Sequence, residues 1–584
     1  MRSPRTWQKV LGPLAVLAFV AVACGGAAAP TATARPAATQ APAATPAAQP
    51  TATRVAPPTP IPVQQTAAPT ATPVPAAVRK PEGQIIIGGA FSMKENDAQK
   101  IPGGNDYHMV QNVFEGLLTR SSQGAQLIPA LATKWQANAN STEWTFTIRK
   151  DATWHDGKPV TAQDVVFSFD RMVSDEVIKS GSFIGPPIKA DYASSEVVDA
   201  STVKVKMKQA SPVFISNLDA YFYVVPKHLI EADAKAWAAK PIGHGPFTFV
   251  SRVLDVETVL DAYERHYARV PSVKRVILRE IADPQTSLAA LRAGQIDMTG
   301  IPLTAIETVR KDPNIKMIRV PTTIVYWVQF TPWMKPFDDV RVRQAVNYAI
   351  NKDRLVDGIM QGQAFVTPTA SSPVVEGFDT NLKPYPYNPA KAKELLAAAG
   401  FPNGFDAGKF QVSSVQIDNQ GLDVTQAIIK DLGAVGIKAD IQVMEWGAWV
   451  SAYVGRGLGP MAIANTASSN YNGEATLRRH FRTGGSISYY PGKCKDATCS
   501  APGDVGKAGY NIFDDIIDRV QSITDLNERE KALRAAYQKI YDEAAVGFLL
   551  GTSTTFGLGA RVAEWQGVDG AFVYRNLDTV KLKK

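Results

Sequence analysis

The stretch PFDDVRVRQAVNYAINKDRLVDGIMQGQA, residues 336–364, has the most informative apolar pattern in this chain. Its apolar residues recur at intervals of three and four, which is the spacing of one face of an α-helix. The residues on that face are Val342, Ala345, Val346, Ala349 and Ile350. The pattern predicts an amphipathic helix that packs one side against a core.

Helices and strands alternate on the C-terminal side of this stretch. In YNPAKAKELLAAAGFPNGF, residues 387–405, Asn388 is placed as an N-cap, Pro389 in the first turn and Gly400 just past the end. A further helix is predicted to stop near Gly433. A strand with alternating apolar residues follows it, at Ile437, Ala439, Ile441 and Val443. This alternation predicts α/β layers.

The N-terminal side shows strand and helix signals as well. In EWTFTIRKDATWHDG, residues 143–157, the alternation of Trp144, Phe146 and Ile148 predicts a strand with one buried face. Thr161 and Asp164 then have the spacing of a capping box at a helix start. About 500 residues outside the N-terminal region exceed what one small core accommodates, so two or more lobes are expected.

Six blocks of the chain, in order, resemble the family 5 solute-binding proteins of bacterial ABC importers, of the oligopeptide, dipeptide and nickel type. The blocks are residues 113–171, IGHGPFTFV at 242–250, IADPQTSLAALRAGQIDM at 281–298, and the stretches at 336–364, 387–405 and 510–545. The resemblance covers nearly all of residues 84–584. Residues within these blocks that look functional are interpreted as structural: Trp144, Gly157, Asp164, Arg341 and Arg343. At least one of the two arginines is expected in a surface ion pair.

The resemblance implies a two-lobed α/β fold of the periplasmic-binding-protein type, with two crossing hinge strands. Lobe one is expected at 84–325, with an extra subdomain at about 115–215, and takes back the C-terminal residues 555–584. Lobe two is expected at 326–554. The outgoing hinge candidate is TTIVYWVQFTP, and the return is FLLGTSTTFGL. The implied work is to capture a solute outside the membrane, close around it and deliver it to a permease and its ATPase subunits.

The N-terminus has the features of an export signal. Arg2, Arg5 and Lys9 precede an apolar run at 10–22, which is too short to span a bilayer. Residues 21–24, Ala-Val-Ala-Cys, resemble a bacterial lipobox, which predicts a signal peptide at 1–23 and a lipid on Cys24. A plain signal peptide is the alternative. Residues 24–80 are rich in Pro, Ala and Thr and predict a disordered tether. The protein is therefore expected to be lipid-anchored at the extracytoplasmic face of the cell membrane or in the periplasm.

The charge of the chain is concentrated in that N-terminal region. The net charge is +8, but residues 1–80 contain seven cationic and no acidic side chains. The remainder has 55 cationic and 54 acidic side chains and is nearly neutral. No basic stripe with interleaved aromatic residues is present, which argues against nucleic-acid binding.

The two other cysteines, Cys494 and Cys499, lie close together in a Gly- and Pro-flanked stretch. Outside the cytoplasm such a pair predicts a local disulfide. Half of a zinc site is the alternative, but no second Cys or His pair lies nearby in the sequence. Neither a metal nor a cofactor is predicted, and the protein is expected to be a monomer.

Catalytic motifs are absent from the sequence. There is no G-x-S-x-G elbow, no H-E-x-x-H and no P-loop, and His155 with Asp156 is interpreted as structural. The prediction is therefore a binding protein rather than an enzyme. An extracellular hydrolase is a weaker alternative. A lipoprotein that binds peptides or other solutes for sensing, or as a chaperone, is another. A permease and an ATPase encoded beside the gene would favour import.

Candidate ligand-binding residues are aromatic or amide- and hydroxyl-bearing: Trp333, Trp446, Trp449, Asn465, Ser469, Tyr471 and Asn472. Trp446 and Trp449 are at helical spacing, and core residues are the alternative interpretation. Peptide binders of the family have a Trp-x-Ala-Asp-Tyr-like run here, whose acid holds the peptide ammonium. This chain has no acidic residue between Glu445 and Glu474. A buried ammonium without a counter-charge is costly, so a neutral solute is predicted, such as an oligosaccharide or a blocked peptide. A carboxylate from elsewhere in the fold is the alternative.

Overall fold

The structure is a computed structural model that describes residues 80–121, 127–468, 471–490, 511–567, 570 and 574–584. The predicted signal peptide, Cys24, the tether up to residue 79, Ser469 and the Cys494–Cys499 pair lie outside the described residues. Within these described ranges, every helix falls short of the length and apolarity needed to cross a membrane.

Strands alternate with helices along the chain. The strands are β1 Glu82–Gly89, β2 Leu118–Arg120, β3 Leu127–Pro129, β4 Ala132–Ala137, β5 Glu143–Ile148, β6 Tyr192–Asp199, β7 Thr202–Met207, β8 Phe247–Val253, β9 Glu257–Ala262, β10 Val273–Glu280, β11 Met298–Gly300, β12 Lys316–Phe330, β13 Ala364–Val366, β14 Phe405–Ser413, β15 Ile437–Met444, β16 Met461–Thr466, β17 Gly547–Leu558, β18 Val562–Glu564 and β19 Lys581–Leu582.

The helices are mostly short, and one irregular turn, Leu355–Ile359, is π-helical. The helices are α1 Tyr107–Val113, α2 Ala162–Met172, α3 Asp175–Lys179, α4 Gly185–Asp191, α5 Phe214–Tyr221, α6 Lys227–Ala239, α7 Pro284–Arg292, α8 Ile306–Arg310, α9 Val340–Ala349, α10 Lys352–Arg354, α11 Pro389–Ala398, α12 Gln416–Asn419, α13 Gly421–Ala434, α14 Trp446–Val454, α15 Gly473–His480, α16 Asp514–Ser522 and α17 Leu526–Asp542.

The local predictions for α9, α2 and α11 are confirmed. The predicted apolar face of α9 is fully buried, and Asp339 caps the helix by accepting a hydrogen bond from the Arg341 backbone N–H. Thr161 and Asp164 form a reciprocal capping box at the start of α2. Asn388 caps α11 through the Lys391 backbone N–H, at 3.0 Å.

One large sheet holds most strands, in the order β15-β14-β16-β12-β17-β11-β1-β10-β9-β8, with β13 paired to β17. The long strands β12 and β17 are its centre, and they pair antiparallel from Lys316↔Leu558 to Val328↔Gly547. On one side of them lie β1 and β8–β11, and on the other lie β14–β16. We call these two parts, with the residues packed on them, the first lobe and the second lobe.

Each lobe has its own hydrophobic core. The first-lobe core includes Ile85, Phe169 and Leu278 and extends over a separate four-stranded sheet, in the order β4-β5-β7-β6. The C-terminal residues Trp565 and Tyr574 are buried in the same core. Two clusters that include α9 and α17 fill the second lobe.

Several residues of the family blocks have structural contacts. Arg341 is half-exposed and pairs with Asp339 at 2.5 Å, so the predicted surface ion pair is confirmed. Arg343 is buried instead, and it donates to backbone carbonyls, including that of Phe337 at 2.9 Å. The His155 ring is bonded to the Gly245 carbonyl at 3.0 Å and accepts from the Gly243 N–H at 3.2 Å. The strand predicted from Ile437 onward is β15, an edge strand.

Candidate functional site

The two lobes meet at an irregularity in the central pair of strands. The β12–β17 pairing shifts between Pro321 and Val325. Inside this bulge, the Thr322 hydroxyl donates to the Thr552 carbonyl at 3.0 Å, and the Ser372 hydroxyl donates to the Thr322 carbonyl at 2.6 Å. The Gly570 N–H also donates to the Pro321 carbonyl, at 2.6 Å. A bulge disrupts a ladder and bends a strand, so the regular pairing of the central strands is interrupted here.

Tyr471 of the second lobe lies directly beside the first lobe. Its backbone has a positive φ of 58°, and its side chain is buried. The Arg120 guanidinium of the first lobe lies 4.2 Å from the centre of the Tyr471 ring, as in a cation–π contact. A Cβ at Gly570 would lie 2.2 Å from Tyr471 Cε1, so only glycine fits there.

A buried ionic cluster, which we call the Asp219 cluster, supports the first-lobe side of this junction. The Asp219 carboxylate on α5 accepts from Arg120 Nε at 2.9 Å and from Arg575 Nη2 at 2.7 Å. Burial disfavours the charged form, but the two guanidiniums outweigh it and hold the pKa of Asp219 below its usual value. The cluster connects β2, α5 and the C-terminal segment.

A second cluster, the Arg529 cluster, lies on the second-lobe side. Arg529 on α17 is buried and donates to Glu376 at 3.1 Å and to Glu474 at 2.5 Å. Burial opposes its charge, but the two carboxylates raise the pKa of Arg529 above its usual value. The Ser216 hydroxyl on α5 donates to the other oxygen of Glu376 at 3.0 Å, so this cluster is bonded to the first lobe.

A cavity of about 510 Å³ opens at the same junction. Its first-lobe wall is α5 with residues 209–213, and its second-lobe wall is α15 with residues 482–486. Asn472, the N-cap of α15, lines the cavity, and its side-chain oxygen accepts from the Glu474 N–H at 2.9 Å. The cavity therefore has walls from both lobes.

The sequence-predicted candidates separate into two places. Tyr471 and Asn472 lie at the lobe junction, whereas the three tryptophans lie together in an aromatic run within the second lobe. In that run Trp446 stacks on Trp449 at 5.3 Å, and Trp333 stacks on Tyr489 at 5.5 Å. Tyr453 joins the two pairs, at 4.9 Å from Trp449 and 5.7 Å from Tyr489.

The tryptophans and Asn465 differ in how exposed they are and in where they lie. Trp449 is 2% exposed and is a core residue, while Trp446 is 44% exposed. Trp333 follows β12, which extends to Phe330, so it lies beyond the second-lobe end of that strand and away from the bulge. Asn465 pairs with Tyr326 in the β16–β12 ladder and is half-buried.

Sequence reasoning missed the ionic residues of the junction: Arg120, Asp219, Glu376, Arg529 and Arg575. Glu376 is a carboxylate-bearing residue near Tyr471, and whether it takes the place of the missing acid in binding stays a prediction. Its backbone N–H donates to the Tyr471 carbonyl at 3.0 Å. No local pattern marks these residues, because their partners are distant in the sequence. Among the described residues, no group of three or more His, Cys, Asp or Glu side chains is arranged to hold a metal ion.

Two lobes joined by long central strands, with a cavity between them, define a two-lobed solute-binding protein. Residues 126–488 match the model of the bacterial extracellular solute-binding proteins, family 5. The chain belongs to this family.

Named relatives are similar over much of the chain. The dipeptide-binding protein of Escherichia coli K12 is 26% identical over 452 residues, which are 74% of this chain and 82% of the relative. Heme-binding protein A of Haemophilus influenzae is 27% identical over 359 residues. That match covers 58% of this chain and 65% of the relative, just under two thirds of its length.

A solved structure shows the same fold. HbpA2 from Haemophilus parasuis superposes with a TM-score of 0.74 at 22% identity, covering 86% of this chain and 100% of the other. The predicted two-lobed α/β fold is therefore confirmed.

Proposed function

We propose that the protein is the solute-binding component of an ABC importer. It captures a polar solute between its lobes and delivers it to a permease and its ATPase subunits. The observation that carries this proposal is the junction itself. There the bulge in the central strands contacts Gly570, Gly570 contacts Tyr471, and the neighbouring Asn472 lines a cavity walled by both lobes. Hinge closure around a ligand brings two such walls together. The protein acts as a monomer and performs no catalysis.

The residues around Tyr471 favour a solute without a free amino group. Each of the nearby carboxylates already has an arginine partner, because Arg529 bridges Glu376 and Glu474, and Asp219 pairs with two arginines. A peptide ammonium would therefore compete with a guanidinium for its counter-charge. Relatives are named for a dipeptide and for heme. For this chain we propose a neutral or amino-blocked solute at this position, such as an oligosaccharide or a blocked peptide.

Calorimetric titration tests this proposal. The panel contains di- to pentapeptides, the same peptides after N-acetylation, and neutral oligosaccharides. We expect acetylated peptides or oligosaccharides to bind more tightly than free-amine peptides. Submicromolar binding of a free-amine peptide, abolished by acetylation, would show that the solute class is wrong, while solute capture itself would stand.

The location of the protein completes the proposal. We propose cleavage after residue 23, lipidation of Cys24 and a tether up to residue 80. For the folded part we propose a first lobe of residues 84–325 and 555–584 and a second lobe of residues 326–554. Expressed in a bacterium that processes lipoproteins, the wild type is expected in the detergent phase and Cys24→Ala in the aqueous phase. Identical partitioning would remove the anchor from the proposal. We also propose a Cys494–Cys499 disulfide, which mass spectrometry detects as a loss of two hydrogens.

A further inference from the structure

The cavity at the lobe junction has walls of different chemistry. Three arginines within five residues, Arg478, Arg479 and Arg482, line its second-lobe wall. Asp191 and Asn217 line the opposite wall, which belongs to the first lobe. A molecule in this cavity would therefore contact a cationic surface on one side and hydrogen-bond acceptors on the other.

Most of the charge on the arginine wall already has a partner. Arg482 forms two bonds to Asp518, at 2.5 and 3.0 Å. Arg478 lies 3.8 Å from Glu474, and the Glu474 carboxylate also forms an ion pair with Arg529. Arg479 differs, because it is exposed and makes no ion pair with any residue that the structure describes. Its guanidinium has five N–H donors in a planar fork that suits carboxylate or phosphate.

The opposite wall can accept hydrogen bonds. The Asp191 carboxylate accepts a hydrogen bond from Asn217 Nδ2 at 3.3 Å, and a carboxylate has further lone pairs that can accept from a solute. Burial, with a smaller contribution from the charge of Glu474, raises the pKa of Asp191 above its usual value. A hydroxyl or amide N–H satisfies such an acceptor without bringing in a full charge.

We propose that this cavity is an outer subsite for the solute and takes an acidic end group with hydroxyl neighbours. A carboxylate or phosphate binds Arg479, and the adjacent hydroxyls donate to Asp191. The proposal rests on the proposed function and adds the chemistry of the far end of the solute. The part of the solute near Tyr471 stays uncharged, and the acidic group lies against the arginine wall of the cavity. A sugar acid at the end of a short saccharide has this pattern.

Matched monosaccharides separate the possibilities. The full-length chain is titrated at low salt with D-glucuronate, D-glucose, D-glucosamine and glucose 6-phosphate. We expect glucuronate to bind about five- to tenfold more tightly than glucose, the order of one charge-assisted hydrogen bond, and glucosamine to bind least. A preference for glucose 6-phosphate over glucuronate would identify phosphate as the anion.

Two variants assign any preference to the cavity. Arg479→Gln is expected to remove the advantage of the anionic sugar. Arg519→Gln is the matched control, because Arg519 is exposed on α16 and is not part of the cavity wall. An anion preference that survives Arg479→Gln would overturn the proposal, as would a preference for glucosamine or the absence of monosaccharide binding. The calorimetric titration with acetylated peptides and neutral oligosaccharides tests the proposed function separately, because it does not depend on an anion at Arg479.

Discussion

The two ionic clusters at the lobe junction have opposite composition. The Asp219 cluster holds one carboxylate between two guanidiniums, so its formal charge is positive. The Arg529 cluster holds one guanidinium between two carboxylates, so its formal charge is negative. Asp219 is fully buried, whereas the side chain of Glu376 is 28% exposed.

The difference indicates that the two clusters stabilise different contacts. The Asp219 cluster connects three segments of the first lobe and includes the C-terminal Arg575, so it maintains the shape of that lobe. The Arg529 cluster reaches across the junction through Ser216, so it contributes to contact between the lobes. Both clusters involve α5, and their opposite charges favour the approach of the two lobes.

Removing the single carboxylate of the Asp219 cluster is expected to have the largest effect. Asp219→Ala leaves the Arg120 and Arg575 guanidiniums in a buried site without a counter-charge. The expected loss in free energy of unfolding is about 3–5 kcal/mol. Denaturant unfolding followed by tryptophan fluorescence measures it.

Asp440→Ala is the control for this change, because Asp440 is 79% exposed and pairs with Lys409 on the surface. Its expected cost is below about 1 kcal/mol. The lowered pKa of Asp219 means that its contribution is complete above the unfolded pKa of about 3.9 and is lost as pH falls through the folded value. The difference between wild type and Asp219→Ala should therefore shrink below about pH 4. A difference that grows in acid would contradict the assignment.

Removing the guanidinium of the Arg529 cluster is expected to lower the free energy of unfolding by less and to change which peptides bind. Arg529→Gln removes the buried counter-charge that Glu376 and Glu474 share. Arg478 stays near Glu474 and the partly exposed Glu376 can hydrate, so the expected loss is about 2–3 kcal/mol. The freed carboxylates should then accept an ammonium, and the affinity for free-amine peptides should rise. Calorimetry measures the rise. Arg534→Gln, on the same helix and 37% exposed, should leave it unchanged.

The smallest effect is expected for the single hydrogen bond between Ser216 and Glu376. Ser216→Ala removes it at a cost of about 1 kcal/mol, and the lobes should separate more easily in the absence of solute. Small-angle scattering would report a larger radius of gyration for the variant. Ser451→Ala, at an exposed position on α14, is the control. Equal radii for both variants and the wild type would show that this bond does not restrain the lobes.

The fold was largely predictable because its signals are local. The capping box of α2, the N-cap of α11 and the apolar face of α9 each lie within one helix, and the order of the blocks adds the topology. The bounds of β12 were less predictable: this strand runs beyond its bulge to Phe330, so Trp333 follows the second-lobe end of the strand, and its role in binding stays a prediction.

The junction residues could not be found in this way. Asp219 lies 99 residues from Arg120 and 356 residues from Arg575, so no sequence spacing indicates that they meet. Trp449 illustrates another limit, since a tryptophan of the core and one of a cleft have the same local pattern. Tyr471 and Asn472 lie at the junction, and their role in binding stays a prediction.

Closure of the two lobes around a solute is the central claim, and small-angle scattering on residues 81–584 tests it most directly. The radius of gyration is measured alone and with a saturating amount of the tightest binder from the peptide and oligosaccharide panel. We predict a smaller radius with the solute, because bending at the 321–325 bulge brings α5 and α15 together. An unchanged radius at demonstrated saturation would contradict closure.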